Sequence, residues 1–258
     1  MRKLLVALTL GLLSAAAVHA QKKQTDREFE GLKGPVKSVL VESAKLDGQV
    51  EGPRVKAEGE TYNAEGNLVS DEWYGQGGTL FVKRVYVYIG ADKIAEVNVR
   101  PPSIMIPAGT ELPPDPPQPS PGPAPMLRSR EKFKYKYDAG GNIIERIVES
   151  EGRVKRRGVY KFPVGRKELL SYADGKDLDY KRVETFDAKG NVAEVTATEI
   201  FLVAENEKGS RTQKHSYTAY EFDARGNWVK RLKSEWTTEG GKPRYVPVQV
   251  EYRTIVYF

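Results

Sequence analysis

Histidine and cysteine, on which much nucleophilic and metal chemistry depends, are almost absent from this chain. It has no cysteine, and its two histidines are His19 and His215. Since His19 lies in an apolar N-terminal segment, a Ser–His–Asp triad or a two-histidine metal centre would rest on His215 alone. His215 stands in a polar run before a strand-like segment, so we interpret it as a strand-face residue. The absence of cysteine excludes thiolate ligands, cysteine nucleophiles and disulfides.

Carboxylates are the remaining candidates for acid–base or metal chemistry. The densest group is Asp174, Asp177 and Asp179. Its spacing lacks the Asp-x-Asp-x-Asp-Gly order of an EF-hand loop, so a polar hairpin loop is the better interpretation. Because acidic residues are plentiful, a glycosidase-type pair of carboxylates stays open. The sequence predicts no catalytic residue, no cofactor and no metal site, and it favours a non-enzymatic role.

Aromatic side chains offer a different chemistry, because tyrosine and tryptophan faces bind sugars. The chain has 14 Tyr and 3 Trp residues, mostly in strand-like segments, where they are expected to pack the sheet. Trp73, Trp228 and Trp236 are the residues to test for a glycan platform. The residues that bind a ligand, if there are any, are unknown from sequence.

An internal repeat organises the chain around these residues. Each unit has an aromatic residue, Asp or Asn, Ala, a variable residue, Gly, Asn and a large apolar residue. The four units span 62–68, 137–143, 186–192 and 222–228. Asp or Asn can close an Asx turn, and Gly supplies the positive φ that returns the chain into a partner strand. The Asn after Gly also tolerates left-handed geometry. The repeat therefore predicts hairpins with an obligatory glycine.

The flanking segments have the two-residue period of strands, as in Phe133, Tyr135 and Tyr137 alternating with lysines. Weaker turn signals near Asp47-Gly48, 89–93 and 172–176 look like decayed units of the same series. We predict an all-β fold, an antiparallel meander of ten to fourteen strands that forms an open, curved or partly rolled sheet. A short helix is expected only near 26–31.

A proline-rich segment interrupts this pattern. Eleven prolines lie between Pro101 and Pro125, and they favour extended polyproline II rather than a strand. The predicted organisation is a signal peptide (1–20), a first part of the β-repeat domain (21–100), a proline-rich loop or linker (101–125) and a second part (126–258). Since the same turn occurs on both sides, we favour a single sheet with an inserted loop.

The N-terminal residues predict that the protein is exported. Arg2 and Lys3 precede an apolar run that ends at Val18-His19-Ala20, which is typical of a secretory signal peptide cleaved near Ala20. The run is too short for a membrane anchor. The formal charge of +6 comes from intermixed basic and acidic residues, so nucleic acid is not an expected partner. We expect a periplasmic or secreted protein whose partner is an envelope protein or a glycan; its oligomeric state is open.

The repeat units Tyr137-Asp138-Ala139-Gly140-Gly141-Asn142 and Phe222-Asp223-Ala224-Arg225-Gly226-Asn227 resemble the YD repeats of Rhs-type bacterial proteins. The chain is similar to short exported bacterial proteins that carry a few such hairpins. This resemblance implies an exported β-rich protein, with carbohydrate binding attributed to some members, and it supplies no catalytic residue. The unit starts are irregularly spaced, by 75, 49 and 36 residues, and we expect four units to be too few for a shell.

These observations favour an exported, non-enzymatic β-repeat protein that acts as a cell-envelope binding or scaffold module. One alternative is a carbohydrate-binding protein or a glycan-acting enzyme. Another is an outer-membrane β-barrel, because Val250, Tyr252, Thr254, Val256 and Phe258 alternate up to the C-terminus. Against the barrel, a lipid-facing band needs outward apolar positions over about 9–11 residues per strand, and many strands carry charges.

Overall fold

The computed structural model describes residues 22–89, 92–99, 127–204, 207–239 and 242–258. One helical turn, α1 (Asp26–Phe29), precedes the strands, and a 3-10 turn (Gln76–Gly78) follows the fourth. The strands are β1 (Val36–Asp47), β2 (Val50–Glu51), β3 (Val55–Tyr62), β4 (Leu68–Tyr74), β5 (Leu80–Ile89), β6 (Asp92–Val99), β7 (Leu127–Tyr137), β8 (Ile143–Ser150), β9 (Arg153–Lys161), β10 (Arg166–Ala173), β11 (Asp177–Phe186), β12 (Val192–Ala204), β13 (Glu207–Phe222), β14 (Trp228–Glu239) and β15 (Lys242–Tyr257).

The strands close into a barrel. Sequential neighbours pair antiparallel, as the predicted all-β meander requires, but β1 also pairs with β15 over nine residue pairs from Val36–Tyr257 to Lys45–Gln249. Fourteen strands form the wall, and the two-residue β2 pairs only with the end of β1. The predicted open or partly rolled sheet was wrong, since closure gives hydrogen-bond partners to both edge strands. Only four of the connections between strands carry the repeat; connections without it join the other strands of the barrel.

All four repeated turns lie at one rim of the barrel. They follow β3, β7, β11 and β13, which run in the same direction around the closed sheet. The start of β1 and the end of β15 lie at this rim too, since Val36 pairs with Tyr257. The proline-rich segment instead joins the opposite ends of the neighbouring strands β6 and β7. Its own residues, and the predicted signal peptide, lie outside the described residues.

The repeated turns have the predicted geometry. Their glycines have φ of +90°, +79°, +82° and +79° at Gly66, Gly141, Gly190 and Gly226. In each turn the Asp or Asn side chain accepts a hydrogen bond from the backbone N–H of the Asn four residues later, at 2.8–2.9 Å. That Asn is not left-handed, although its residue type tolerates such geometry. Its backbone N–H closes the turn, and the side-chain amides of Asn142 and Asn191 also donate to the turn aspartate.

The weaker turn signal at 172–176 is not a decayed copy of this unit, and the one at 89–93 includes residues outside the described part of the chain. At the β10–β11 connection, Asp174 and Gly175 both have positive φ, 47° and 76°, as at the two central residues of a type I′ turn, within a three-residue loop (174–176). Glu151 and Gly152 show the same pair of angles, 52° and 75°, between β8 and β9. Both connections lie at the rim opposite the repeated turns. The two rims are therefore built from different turn types.

The apolar core lies inside the barrel, against the wall formed by β5 to β8. Tyr86 and Phe133 meet edge to face with ring centroids 5.6 Å apart, and Val82, Val97 and Val148 pack around them. An eight-stranded barrel is filled by its own side chains, whereas wider barrels enclose more space. Fourteen strands consequently leave room in the lumen beyond this core.

The N-terminal segment (residues 22–35) closes the rim that carries the repeated turns. A capping box between Thr25 and Glu28 starts α1, so the short helix expected near 26–31 is present. The backbone N–H groups of Gln24 and Arg27 bind the carbonyls of Gly141 and Gly66 at 2.9 and 3.0 Å. The N-terminal segment therefore packs on repeated turns, through the backbone carbonyls of Gly66 and Gly141.

Candidate binding site in the barrel lumen

Two adjoining cavities lie inside the barrel above the N-terminal segment. The smaller has a volume of about 130 Å³ and the larger about 620 Å³. Phe29 and Glu30 of the N-terminal segment and Glu58 of β3 line both cavities. The larger cavity falls in the range of about 300–1,000 Å³ that is common for small-ligand sites.

A buried lysine anchors the N-terminal segment in the smaller cavity. Lys93 is only 4% exposed, and its Nζ lies 2.8 Å from an Asp26 carboxylate oxygen. Aromatic rings surround the same ammonium, with the ring centroid of Tyr86 at 4.4 Å and that of Tyr88 at 5.8 Å. Burial lowers the pKa of Lys93, whereas Asp26 opposes that shift. Every partner of this ammonium is in place, so we interpret the group as structural.

Two glutamates on β3 face the lumen beside this group. Burial, together with the negative charge of Glu30, raises the pKa of Glu58, and burial raises the pKa of Glu60 to about 8. The Tyr62 hydroxyl donates a 2.7 Å hydrogen bond to Glu60. Near neutral pH Glu60 is therefore mostly protonated and leaves little negative charge to balance nearby cations.

An indole lies between two guanidinium groups at the larger cavity. The Cζ atoms of Arg231 and Arg253 lie 4.1 and 3.9 Å from the ring centroid of Trp228. Arg231 also lies over the Tyr217 ring, at 3.7 Å. Trp228 is the last residue of the fourth repeat unit, so the turn that reverses the chain also places it at the lumen. We call Trp228, Arg231 and Arg253 the Arg–Trp–Arg cluster.

The two arginines of this cluster differ in their partners. Arg231 donates through Nε to Oε2 of Glu251 at 2.7 Å, and a terminal nitrogen of Arg231 lies 2.6 Å from the same oxygen, which makes a close ion pair. No acidic side chain in the described part of the chain lies within ion-pair distance of Arg253. Its Nε is shut off from solvent without a hydrogen-bond partner, and burial, with repulsion from Arg231, lowers its pKa. Arg253 thus places an unpaired charge at the cavity.

The outer face of the barrel carries charged side chains on several strands. Phe133 and Tyr135 line the smaller cavity, so the alternate residues of β7 face outward. These are all basic: Arg128, Arg130, Lys132, Lys134 and Lys136. Outward ion pairs include Lys134–Glu149 at 2.6 Å, Lys83–Glu72 at 2.6 Å and Lys214–Glu194 at 3.0 Å. In the described residues, no helix is long and apolar enough to cross a membrane.

The tryptophans and the histidine that the sequence analysis singled out lie in different parts of the barrel. Trp73 lines the smaller cavity and Trp228 the larger one, whereas Trp236 packs edge to face on Tyr245 at the outer face. The three tryptophans therefore do not form a common glycan platform. His215 is a strand residue, as predicted, partly buried and edge to face with Tyr217, and burial lowers its pKa to about 4.

The acidic group at 174–179 is spread along a hairpin. Asp174 occupies the turn, Asp177 lies 3.8 Å from Lys208, and Asp179 lies 3.4 Å from Arg156. In the described residues no set of three His, Cys, Asp or Glu side chains could hold a metal ion.

Sequence reasoning missed the two arginines that flank Trp228. The period-two rule places Arg231 and Glu235 on one face of β14, and Glu251 and Arg253 on one face of β15. It does not say that this face is the lumen, because the opposite face is charged as well. The register Arg231–Glu251 brings the groups together, and it follows only from the paired sheet.

No protein-family model and no curated protein matches the chain. Among solved structures, a porin-like protein from Bacteroides uniformis is 10% identical, with a TM-score of 0.47, and the match covers 87% of this chain and 99% of that one. The TcdB2-TccC3-Cdc42 structure is 12% identical, with a TM-score of 0.28, and covers 81% of this chain, which spans only 12% of that chain. At TM-scores below 0.5, neither likeness establishes a shared fold or function.

Proposed function

We propose that the protein is a cell-envelope β-barrel that works through its lumen, where it binds a small ligand. The observation that carries this proposal is the cavity of about 620 Å³ that lies between the closed wall and the N-terminal segment and reaches the repeated turns at the rim. Aromatic side chains, which can hold the body of a small molecule, and charged side chains, which can orient it, line this cavity together. An open scaffold surface, the role favoured from sequence, is less consistent with a sheet that has closed on itself.

We propose further that the wall of this barrel stands in water. At the bilayer midplane each outward Lys or Arg costs about 2–4 kcal/mol. All the outward residues of β7 are basic, and several of them form ion pairs with neighbouring strands, as outward residues do at an aqueous surface. This arrangement supports a periplasmic or secreted location over a lipid-embedded one.

An outer-membrane barrel is the second candidate, and specific observations favour it. The barrel is closed with an even number of strands, and both ends of the wall lie at one rim with short turns. The outward residues Val87 and Ile89 of β5 and Val256 and Phe258 at the C-terminus are 47–57% exposed. These apolar positions cover part of the circumference, whereas the charged rows interrupt any continuous band.

A pair of valine-to-tryptophan substitutions tests the lumen as the binding site. Val192 lines the larger cavity, whereas Val256 lies on the outer face and is 47% exposed. The probe is N-phenyl-1-naphthylamine, a neutral aromatic amine that fluoresces in an apolar site. We expect Val192→Trp to weaken binding of the probe at least tenfold by filling the cavity, and Val256→Trp to change it less than twofold.

Circular dichroism and thermal unfolding must show that both variants are folded. Equal probe binding by the wild type and Val192→Trp would contradict a lumenal site. So would a loss of binding in Val256→Trp alone.

A further inference from the structure

The larger cavity is more basic than the barrel as a whole. Three acidic side chains line it, namely Glu30, Glu58 and Glu184. The cations that line it are Lys33, Lys167, Arg182, Lys189, Arg231 and Arg253. Two of these six are matched locally, because Arg182 bonds Glu184 at 2.8 Å and Arg231 bonds Glu251. The excess of cations over acids favours a negatively charged occupant.

Arg253 is the focus of this excess. A buried guanidinium without a hydrogen-bond partner is costly, because its lost hydration is not replaced. Its Nε has no acceptor among the described residues, and the indole face of Trp228 offers attraction but no lone pair in its place. An oxyanion in the cavity would supply acceptors for the terminal nitrogens of this guanidinium, which have no hydrogen-bond partner among the described residues and, unlike Nε, are not shut off from solvent. Guanidinium groups bind carboxylate and phosphate in this way.

Aromatic rings stand on the same cavity wall. Tyr220 and Phe222 are stacked, with ring centroids 5.7 Å apart at an interplanar angle of 16°, and both line the cavity with Phe186. The Tyr220 hydroxyl is occupied, since it donates to the carbonyl of Val192 at 2.7 Å. The rings therefore offer mainly apolar surface, which suits the flat or apolar body of a ligand.

We propose that the lumen binds a small organic anion, whose acid group pairs with Arg253 beside Trp228 and Arg231 and whose planar or apolar body lies against Phe186, Tyr220 and Phe222. This inference rests on the proposed lumenal function and names its ligand class. Arg231 lies against the same indole, and its own charge is neutralised by Glu251. Of these two arginines, only Arg253 offers the ligand a charge without an ion-pair partner.

A matched pair of probes separates charge from shape. 8-Anilinonaphthalene-1-sulfonate is N-phenyl-1-naphthylamine with one added sulfonate, which stands in for a carboxylate or phosphate. We expect the wild type to bind the sulfonate at least tenfold more tightly than the neutral amine. Arg253→Met should reduce that preference to less than twofold, and Arg253→Gln should do the same. In the outer-face control Arg157→Met, which removes a partner of Glu145, the preference should persist.

Thermal unfolding gives a readout that a purely structural arginine would not produce. Among the described residues no carboxylate lies within ion-pair distance of Arg253, and Glu30, Glu58 and Glu60 attract it only from farther away. Arg253→Met should therefore melt at the same temperature as the wild type or higher when no probe is present. A strong loss of stability in both Arg253→Met and Arg253→Gln would show that the arginine holds the wall together, and would overturn the proposal.

The titrations also separate this inference from the proposed function. Equal binding of both probes, unaffected by Arg253→Met but abolished by Val192→Trp, would leave a lumenal site and overturn the anion specificity. Binding of neither probe inside the barrel would overturn both. A sulfonate preference that Arg157→Met abolishes and Arg253→Met leaves intact would place the anion on the outer wall, and would also overturn the inference.

Discussion

At the scale of residues, Glu60 of the lumen has a pKa well above the usual value of a glutamate carboxyl. In the unfolded chain its carboxyl has a pKa near 4.5, whereas burial raises the folded-state pKa to about 8. The folded protein keeps this proton at a pH where the unfolded chain has released it. The stability that Glu60 contributes is therefore complete below about pH 4.5, and it is lost as the pH rises through 8.

Replacing Glu60 with glutamine should remove this pH dependence. The glutamine amide keeps an acceptor for the Tyr62 hydroxyl but cannot ionise. We expect Glu60→Gln to match the wild type at pH 5 and to exceed it in unfolding free energy by roughly 1–3 kcal/mol at pH 9. Urea unfolding at the two pH values measures this difference.

The control for this prediction is Glu149→Gln on the outer face, where the carboxylate pairs with Lys134. It should gain nothing at pH 9, since an exposed ion pair contributes at most about 1 kcal/mol and favours the charged carboxylate. A Glu60→Gln variant that is no more stable than the wild type at pH 9 would mean that Glu60 is ionised and solvated in the folded protein.

At the scale of elements, the repeated turns do more than reverse the chain. A Cβ at Gly141 would lie 2.4 Å from the carbonyl oxygen of Lys22, whereas a Cβ at Gly190 would meet nothing within 4 Å. The two glycines have nearly the same φ, 79° and 82°. They therefore differ mainly in whether the N-terminal segment packs on the turn.

Alanine at these two glycines isolates that packing. Gly190→Ala should cost about 1–2 kcal/mol, the strain of a left-handed residue with a Cβ. Gly141→Ala should cost about 1–3 kcal/mol more, because the Lys22 backbone must move away from the turn. Urea unfolding measures both free energies. Equal losses would contradict the docking of the N-terminal segment, and no loss in Gly190→Ala would contradict the left-handed turn.

The turns were the part of the fold that the sequence predicted best, since each depends on four or five adjacent residues. Closure could not be predicted in the same way. It depends on pairs such as Leu40–Thr254, more than two hundred residues apart, and β1 and β15 look like ordinary strands.

The candidate site could not be predicted from the sequence for a related reason. Hydrophobic alternation marks the core face only when the other face is polar, and here Arg253 and Glu60 occupy the inner face.

At the scale of the whole molecule, the barrel has two different ends and two different surfaces. The rim with the repeated turns is covered by the N-terminal segment, and the opposite rim has type I′ turns and the connection that contains the proline-rich segment. The lumen combines aromatic rings with partly matched charges, whereas the outer wall carries ion pairs on several sides. This division supports the proposal that the inside binds a ligand and that the outside stands in water.

The measurement that tests this account most directly is fractionation of the protein after expression of residues 1–258 in a Gram-negative host. We predict that osmotic shock releases it, and that size-exclusion chromatography without detergent recovers a folded, soluble barrel whose gel mobility does not depend on boiling. Retention in the outer membrane, extraction only with detergent and a mobility that shifts on boiling would contradict a wall that stands in water.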